Sequence, residues 1–306
     1  MKKLARFGVF IGLSVLCAGL CACEPITIQG KNGFIYDSGS GSLNPNTAGY
    51  TMADGEISLE NITGLNIDWA SGRVTIGHHN ADTVVFYETS NQTLSDDDKM
   101  QYCVDNGTLK IAFQKWDRSF RIQILQKDLT ILLPEGIKLD EFVYDGASAE
   151  CDFDCIDAKS IAFDTASGKI VGDKLHADEE INVDAASGAF IINEELTADT
   201  YRDDTASGAI NVNNASVRNK IMIDSSSGAV NLDMATVCDV SCDTASGAVS
   251  LTLPSDASVQ IAYDTGSGEF TSNAKFGVSG DVYTLNDGKH NFDVDTASGN
   301  LTVNVK

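Results

Sequence analysis

The chain has 306 residues, with 44 Asp and Glu against 21 Lys and Arg, a formal charge of −23. At 42% hydrophobic residues it carries enough apolar side chain for a packed core, which excludes a wholly disordered chain. The acidity argues against nucleic acid and against docking on anionic lipid, since both need a basic face.

The N-terminus reads as an address. Lys2, Lys3 and Arg6 precede an uncharged, largely apolar run from Phe7 to Leu20. That run is shorter than the roughly 20 residues a membrane span needs and fits the apolar region of a secretory signal. It ends in Leu20-Cys21-Ala22-Cys23, which resembles the bacterial lipoprotein signal. By that resemblance residues 1–22 are removed and Cys23 is diacylated, with palmitate-type chains, as the mature N-terminus. Losing the three basic residues leaves 18 basic against 44 acidic residues, a charge of −26. Anionic lipid repels such a chain, so the acyl groups must hold it at the membrane, on the extracytoplasmic face. Residues 23–54, with Ser38-Gly39-Ser40-Gly41-Ser42, read as a flexible tether.

A period near twenty residues governs the chain beyond the tether. Asp164-Thr165-Ala166-Ser167-Gly168 returns with Asp184 and Gly188, Asp204 and Gly208, Asp224 and Gly228, Asp243 and Gly247, Asp264 and Gly268, and Asp295 and Gly299. Looser copies begin at Asp68 and Asp145, the latter with Ala149 in the Gly place. From Gly168 the steps are 20, 20, 20, 19, 21 and 31 residues. A constant step of this size is a solenoid signature.

The flanks define which solenoid. Apolar residues alternate before each Asp (Ile181 and Val183, Ile221 and Ile223) and after each Gly (Phe190 and Ile192, Ile210 and Val212). Period two means strand with one buried face. Each coil therefore reads as two short strands joined by the Asp-to-Gly corner, and the fold as an all-β, single-stranded β-helix (β-solenoid) with coils of about 20 residues. Residues 55–145 form its irregular N-terminal part and 146–306 its regular repeats.

At the corner, Gly is expected to supply positive φ and Ala to fit the inside of the bend. Asp is expected to accept the turn amides in an Asx-turn, with Thr or Ser as weaker acceptors. The alternative for the stacked aspartates is a row of calcium or other cations. Identical residues in every coil do not mark one active site, so no catalytic residue is assigned.

The corner repeat, together with Asp128-Leu129-Thr130-Ile131-Leu132-Leu133-Pro134-Glu135-Gly136, the opening segment Leu65–Ile76 and Leu109–Phe113, resembles the bacterial putative-adhesin family of surface β-solenoid domains. The resemblance spans about residues 55–306. It implies a β-helix on a lipoprotein or membrane-anchored chain, and no known reaction. The chain departs from the pattern at Ala149 and in the long step from Gly268 to Gly299, where Val278 to Lys289 form an extra hairpin or cap.

Other features are weaker. Residues 77–98 read as an exposed loop interrupting the first coil, and adjacent His78 and His79 point to opposite faces of a strand, so no metal is assigned. Trp116-Asp117-Arg118 with Phe113 and Phe120 read as a hairpin tip or side wall, with an aromatic ligand platform as the alternative. Cys151 and Cys242 fall at inward places. Cys103, Cys155 and Cys238 complete an odd set compatible with free thiols, and no cofactor is assigned.

The expected protein is a non-enzymatic lipoprotein that binds or displays at the cell envelope, contacting glycan or surface protein. Its end strand Asn300–Val305 is expected bare, open to end-to-end self-association. The alternatives are a β-helix polysaccharide lyase or hydrolase, and an envelope sensor acting through a membrane partner.

Overall fold

The computed structural model describes residues 27–29, 35–37, 51–52, 54–114 and 125–306. Cys23, the signal segment 1–22 and the Trp116–Phe120 platform lie outside the described residues. Two units are distinguished, residues 1–44 and 45–306. In the first, Thr27–Gln29 pairs antiparallel with Ile35–Asp37.

In the second, strands stack as one continuous, open sheet that bends around a single core. Four successive strands carry the regular part: Glu150–Thr165, Ile170–Ala185, Phe190–Thr205 and Ile210–Ser225, each of 16 residues. Each pairs in parallel with the next, so that Ile181 faces Tyr201 and Tyr201 faces Ile221. The two short strands expected per coil are thus one long strand, bent at register shifts such as that between His176 and Glu180. The bend lies where inward alternation pauses, at Asp178 to Glu180.

Inward positions are mostly apolar. One coil buries Phe190, Ile192, Leu196, Ala198 and Tyr201, and the next Ile210, Val212, Ala215, Val217, Ile221 and Ile223. A coil has no second layer of its own, so these side chains leave water only by stacking on the coils on either side. Phe163 joins three coils, lying 5.8 Å from Phe153, 5.4 Å from Phe142 and 6.0 Å from Phe190 between ring centroids.

Both ends depart from sequence order. The first coil in sequence, Gly64–Trp69 and Gly72–His79, does not lie outermost. It stacks between Thr108–Ala112 with Lys127–Pro134 on one side and Leu139–Gly146 with the start of Glu150–Thr165 on the other. At the other end, His290–Thr296 is inserted between Asp239–Thr244 and Val259–Thr265. Leu301–Val305 is likewise inserted between Val249–Leu253 and Phe270–Ser272. The bare C-terminal strand expected from the sequence is therefore corrected: it has a parallel partner on each side, and Leu301 and Val303 are fully buried.

The long step before Gly299 is a hairpin. Val282–Leu285 pairs antiparallel with Val259–Thr265, and Gly277–Ser279 pairs on its outer edge. Phe270 stacks on Tyr283 at 3.8 Å and meets Phe276 at 5.5 Å, covering the core end. The expected loop 77–98 is also a correction, since Gly72–His79 runs to His79 and Thr83–Ser90 forms a strand against Lys127–Pro134. No helix among the described residues is long and apolar enough to cross a membrane.

Candidate functional site

At the Gly168, Gly228, Gly247 and Gly268 corners the Thr or Ser, not the Asp, holds the bend, whereas Ala185 has no hydroxyl and Thr205 Oγ1 donates to Asp203. The Gly168 N–H donates to Thr165 Oγ1 at 2.9 Å, Gly228 N–H to Ser225 Oγ at 3.1 Å, and Gly247 N–H to Thr244 Oγ1 at 2.7 Å. These hydroxyl residues are buried, while Ala166 and Ser167 are exposed. The expected Asx-turn and the expected inward Ala are corrected together. Strand alternation turns the residue after Asp into the core and leaves Asp and Ala outside. The exposed Ser bonds across coils: Ser187 Oγ donates to Ala166 O at 3.2 Å and Ser207 Oγ to Ala186 O at 3.3 Å.

The corner glycines answer a different need from the one expected. Of the corner set only Gly72, in the irregular first coil, has positive φ, at 99°. In the regular repeats the requirement is close approach. A Cβ on Gly188 would stand 1.9 Å from Gly168 O, and one on Gly208 1.8 Å from Gly188 O. Each coil's glycine lies against the carbonyl of the coil before it, leaving no room for a side chain.

The aspartates form one row. Asp68 faces Asp145 in Cα register, and the row continues through Asp164, Asp184, Asp204, Asp224 and Asp243. Asp295 and then Asp264 complete it. Neighbouring strands lie about 4.8 Å apart. Among the described residues, none of these carboxylates accepts a hydrogen bond from the turn. Burial, and after it the adjacent Asp145, raises Asp68 to about 7, while burial followed by Asp145 and Asp184 raises Asp164 to about 7. Burial also raises Asp145, Asp184, Asp204, Asp224, Asp243 and Asp295, to a lesser degree. Beside the row, Arg202, Lys220 and Met222 with Asp204 and Asp224 line a shallow cavity of about 280 Å³. No group of three or more His, Cys, Asp or Glu among the described residues is arranged to hold a metal ion.

The remaining sequence candidates are dispersed. His78 Nδ1 lies 2.7 Å from Asp154 Oδ1, and His79 Nε2 2.6 Å from Thr83 O, so the two rings share no partner. Cys103, Cys151, Cys155, Cys238 and Cys242 are free thiols. Burial raises Cys151 strongly, Cys238 to about 11 and Cys242 to about 12, so none of these three is a thiolate near neutrality.

Two polar groups in the core were missed from the sequence. Asp203 occupies the inward column of Val183 and Ile223. It accepts from Tyr201 Oη and Thr205 Oγ1, both at 2.6 Å, and its burial raises it to about 7. Lys127, fully buried, meets Glu88 at the N-terminal end. Each carried a signal in strand parity: Asp203 falls two places after Tyr201, and Lys127 two before Leu129.

The profile of the Toastrack DUF4097 family matches residues 62–304. No curated protein matches the chain. Among solved structures, a putative cell adhesion protein from Clostridium sporogenes is 16% identical, with 83% of this chain and 100% of that chain covered and a TM-score of 0.29. A putative adhesin from Bacteroides fragilis is 13% identical, with 83% and 97% covered and a TM-score of 0.46. One from Parabacteroides distasonis is 14% identical, with 84% and 97% covered and a TM-score of 0.38. With the family profile covering the whole coiled region, the chain belongs to the Toastrack DUF4097 family.

Proposed function

We propose that this chain is a non-catalytic lipoprotein of the cell envelope, acylated at Cys23, lifted from the membrane by residues 23–54 and displaying a single-stranded β-helix for contact with glycan or surface protein. The observation that carries the reading is the use made of the repeated motif. Thr or Ser closes the bend, Ser bonds to the coil before, and Gly admits that coil's carbonyl. The Thr, Ser and Gly of the motif are consumed in construction, so the motif marks a scaffold, and contact is left to the aspartate row and the outward walls. One of these carries a ladder of neutral polar residues on three successive coils, Asn211, Asn231 and Ser250.

Two measurements test it. Wild-type protein expressed with its signal should fractionate with membranes and take up labelled palmitate, and Cys23→Ala should do neither; equal behaviour of the two removes the anchor. The soluble 24–306 fragment on a panel of envelope glycans should be retained without bond cleavage. Cleavage of any glycan overturns the non-catalytic reading.

A further inference from the structure

The wall that follows each corner glycine carries a file of outward residues running through seven neighbouring strands. In stacking order it is Val171, Ile191, Asn211, Asn231, Ser250, Thr302 and Thr271, each in Cα register with the next. The insertion of Leu301–Val305 keeps the file unbroken, because it seats Thr302 between Ser250 and Thr271. At a strand spacing of about 4.8 Å the file extends about 29 Å. No residue in it is charged, in a chain whose acidic residues exceed its basic ones by 23. Residues two places away in sequence share its face. On the corner side these are Ala189, Ala209, Ala229 and Ala248, then Asn300 and, on the last strand, Glu269. The file on the far side, from Asn193 to Asn273 in stacking order, has one carboxylate, Asp233, and Lys306 pairs with it. The wall leading into each corner is the charged one, with the aspartate row, Arg202 and Lys220.

The polar side chains of this wall are held in place across coils. Asn231 Nδ2 donates to Asn211 Oδ1 at 2.8 Å, and Asn213 Nδ2 to Asn193 O at 2.9 Å. The hydroxyls of Thr271 and Thr302 stand 3.0 Å apart. Asn273 uses both ends of its amide on the Val305 main chain, accepting at 2.8 Å and donating at 3.0 Å. In the Asn211–Asn231 pair the Nδ2 of Asn211 remains as a donor and the Oδ1 of Asn231 as an acceptor for a ligand. Amides fixed in advance lose little freedom on binding.

We propose that this wall is the docking track for one extended strand of neutral polysaccharide, lying along the stacking axis. The proposal rests on the contact role given above and narrows it to one wall and one class of ligand. A sugar strand offers hydroxyls, each both donor and acceptor, and apolar C–H faces. Asn, Ser and Thr meet the hydroxyls in both roles, while Val171, Ile191 and the alanine file meet the C–H faces. From Ile191 to Thr271 an anionic polymer finds one basic side chain, Lys306, already engaged by Asp233. Protein contacts centre on Trp, Tyr and Arg, and none of these stands in the three files. Each step repeats similar contacts, so affinity grows with the length of the strand up to the length of the track.

The test is binding of the purified full-length protein, in detergent, to immobilised mannan, xylan, galactan and β-glucan, with polygalacturonate as the anionic counterpart. At least one neutral polymer should bind, without loss on adding salt, and polygalacturonate should not. Oligomers of the bound polymer should compete better with length until they span about 29 Å. Asn211→Ala, Asn231→Ala and Thr302→Ala together should weaken binding by about tenfold or more, and Asn182→Ala, on the charged wall, should leave it unchanged. Thermal midpoints check that both variants are folded, and the salt and length dependence of the wild type decide without any variant. Binding of no neutral polymer, or undiminished binding by the folded triple variant, overturns the proposal. Retention of polygalacturonate or of an envelope protein alone also overturns it, yet leaves the contact role standing. A wild type that takes up no palmitate removes the anchor and leaves the track in place.

Discussion

Asp295 stands in register against Asp243, although the whole coil bearing Asp264 lies between them in sequence. Asp264 is on the far side of Asp295. The last-made coil is therefore wedged one place in from the end, and the coil it displaces outward is covered by the hairpin Gly277–Leu285. The first coil is wedged in the same manner, between the second and the third. A solenoid's end coil has a neighbour on one face only; here the two chain-terminal coils each have two.

This arrangement predicts that Leu301 behaves as core. Leu301→Ala should cost about 2–5 kcal/mol by urea unfolding, the range for a buried Leu truncated to Ala. Val278→Ala, at a position 64% exposed in the hairpin, should change stability by less than about 0.5 kcal/mol. A loss at Leu301 as small as that at Val278 would mean that the terminal strand lies on an open edge after all.

The coil stack was legible because period and parity act together: alternation names inward residues such as Ile181 and Val183, and a constant step brings like positions into register. Stacking order at the ends was not legible. The corners at Asp243, Asp264 and Asp295 have the same apolar parity, so any of them could sit beside any other without burying a polar group. The corner chemistry was legible in its residue types but not in its assignments. Gly serves both positive φ and close approach, and Asp, Thr and Ser all accept turn amides. Only the burial of Thr165, the exposure of Ala166 and the absence of a turn amide on half-buried Asp164 separate the roles. Asp203 and Lys127 were missed although both break the apolar parity; the partners of Asp203 lie two places away on its own strand, while Glu88, which meets Lys127, is remote in sequence.

Two glycines separate the two reasons for glycine. Gly208 has ordinary φ and a carbonyl where its Cβ would go, whereas Gly136 has φ of 72° and open space around it. Asn tolerates the left-handed region, as it does here at Asn106, Asn214 and Asn286. Gly136→Asn should therefore be cheaper than Gly136→Ala, which costs about 1–2 kcal/mol for the left-handed backbone. At Gly208 the order should reverse: Ala forces the coils apart at about 1–3 kcal/mol or more, and the larger Asn costs more still. Thermal midpoints of the four variants decide. Asn relieving Gly208→Ala would refute the close-approach account.

The aspartate row makes the fold prefer mildly acidic conditions. Asp68, Asp164 and Asp203 sit at about 7, above the usual carboxylate value, so between these values the folded chain binds more protons than the unfolded one. Stability should rise as pH falls from 8 to about 5, by about 1–3 kcal/mol for each of the three groups. The trend should turn below that. Lys159 holds Asp140 below its usual value, and the stabilisation from that ion pair is lost as pH falls through the depressed range. Urea midpoints at pH 8, 6.5 and 5 measure the slope, and Asp203→Asn, which stays neutral, accepts one hydroxyl through Oδ1 and donates to the other through Nδ2, should flatten it. A midpoint that falls steadily from pH 8 to 5 would contradict the raised values.

The corner itself can be divided between its two polar residues. Thr244 Oγ1 is buried and accepts the Gly247 N–H, while Asp243 beside it points outward into the row. Thr244→Val keeps the shape and leaves that N–H without a partner, at a cost of about 1–3 kcal/mol. Thr244→Ser should cost only about 0.5–1.5 kcal/mol for its buried methyl, because Ser225 makes the same bond one coil earlier. Asp243→Ala removes no hydrogen bond and relieves repulsion from Asp224 and Asp293, so at pH 7 it should be neutral or mildly stabilising. Denaturant titrations of the three variants give the order directly. If Asp243→Ala is the most damaging of them, the carboxylate and not the hydroxyl closes the bend, and the row is part of the turn.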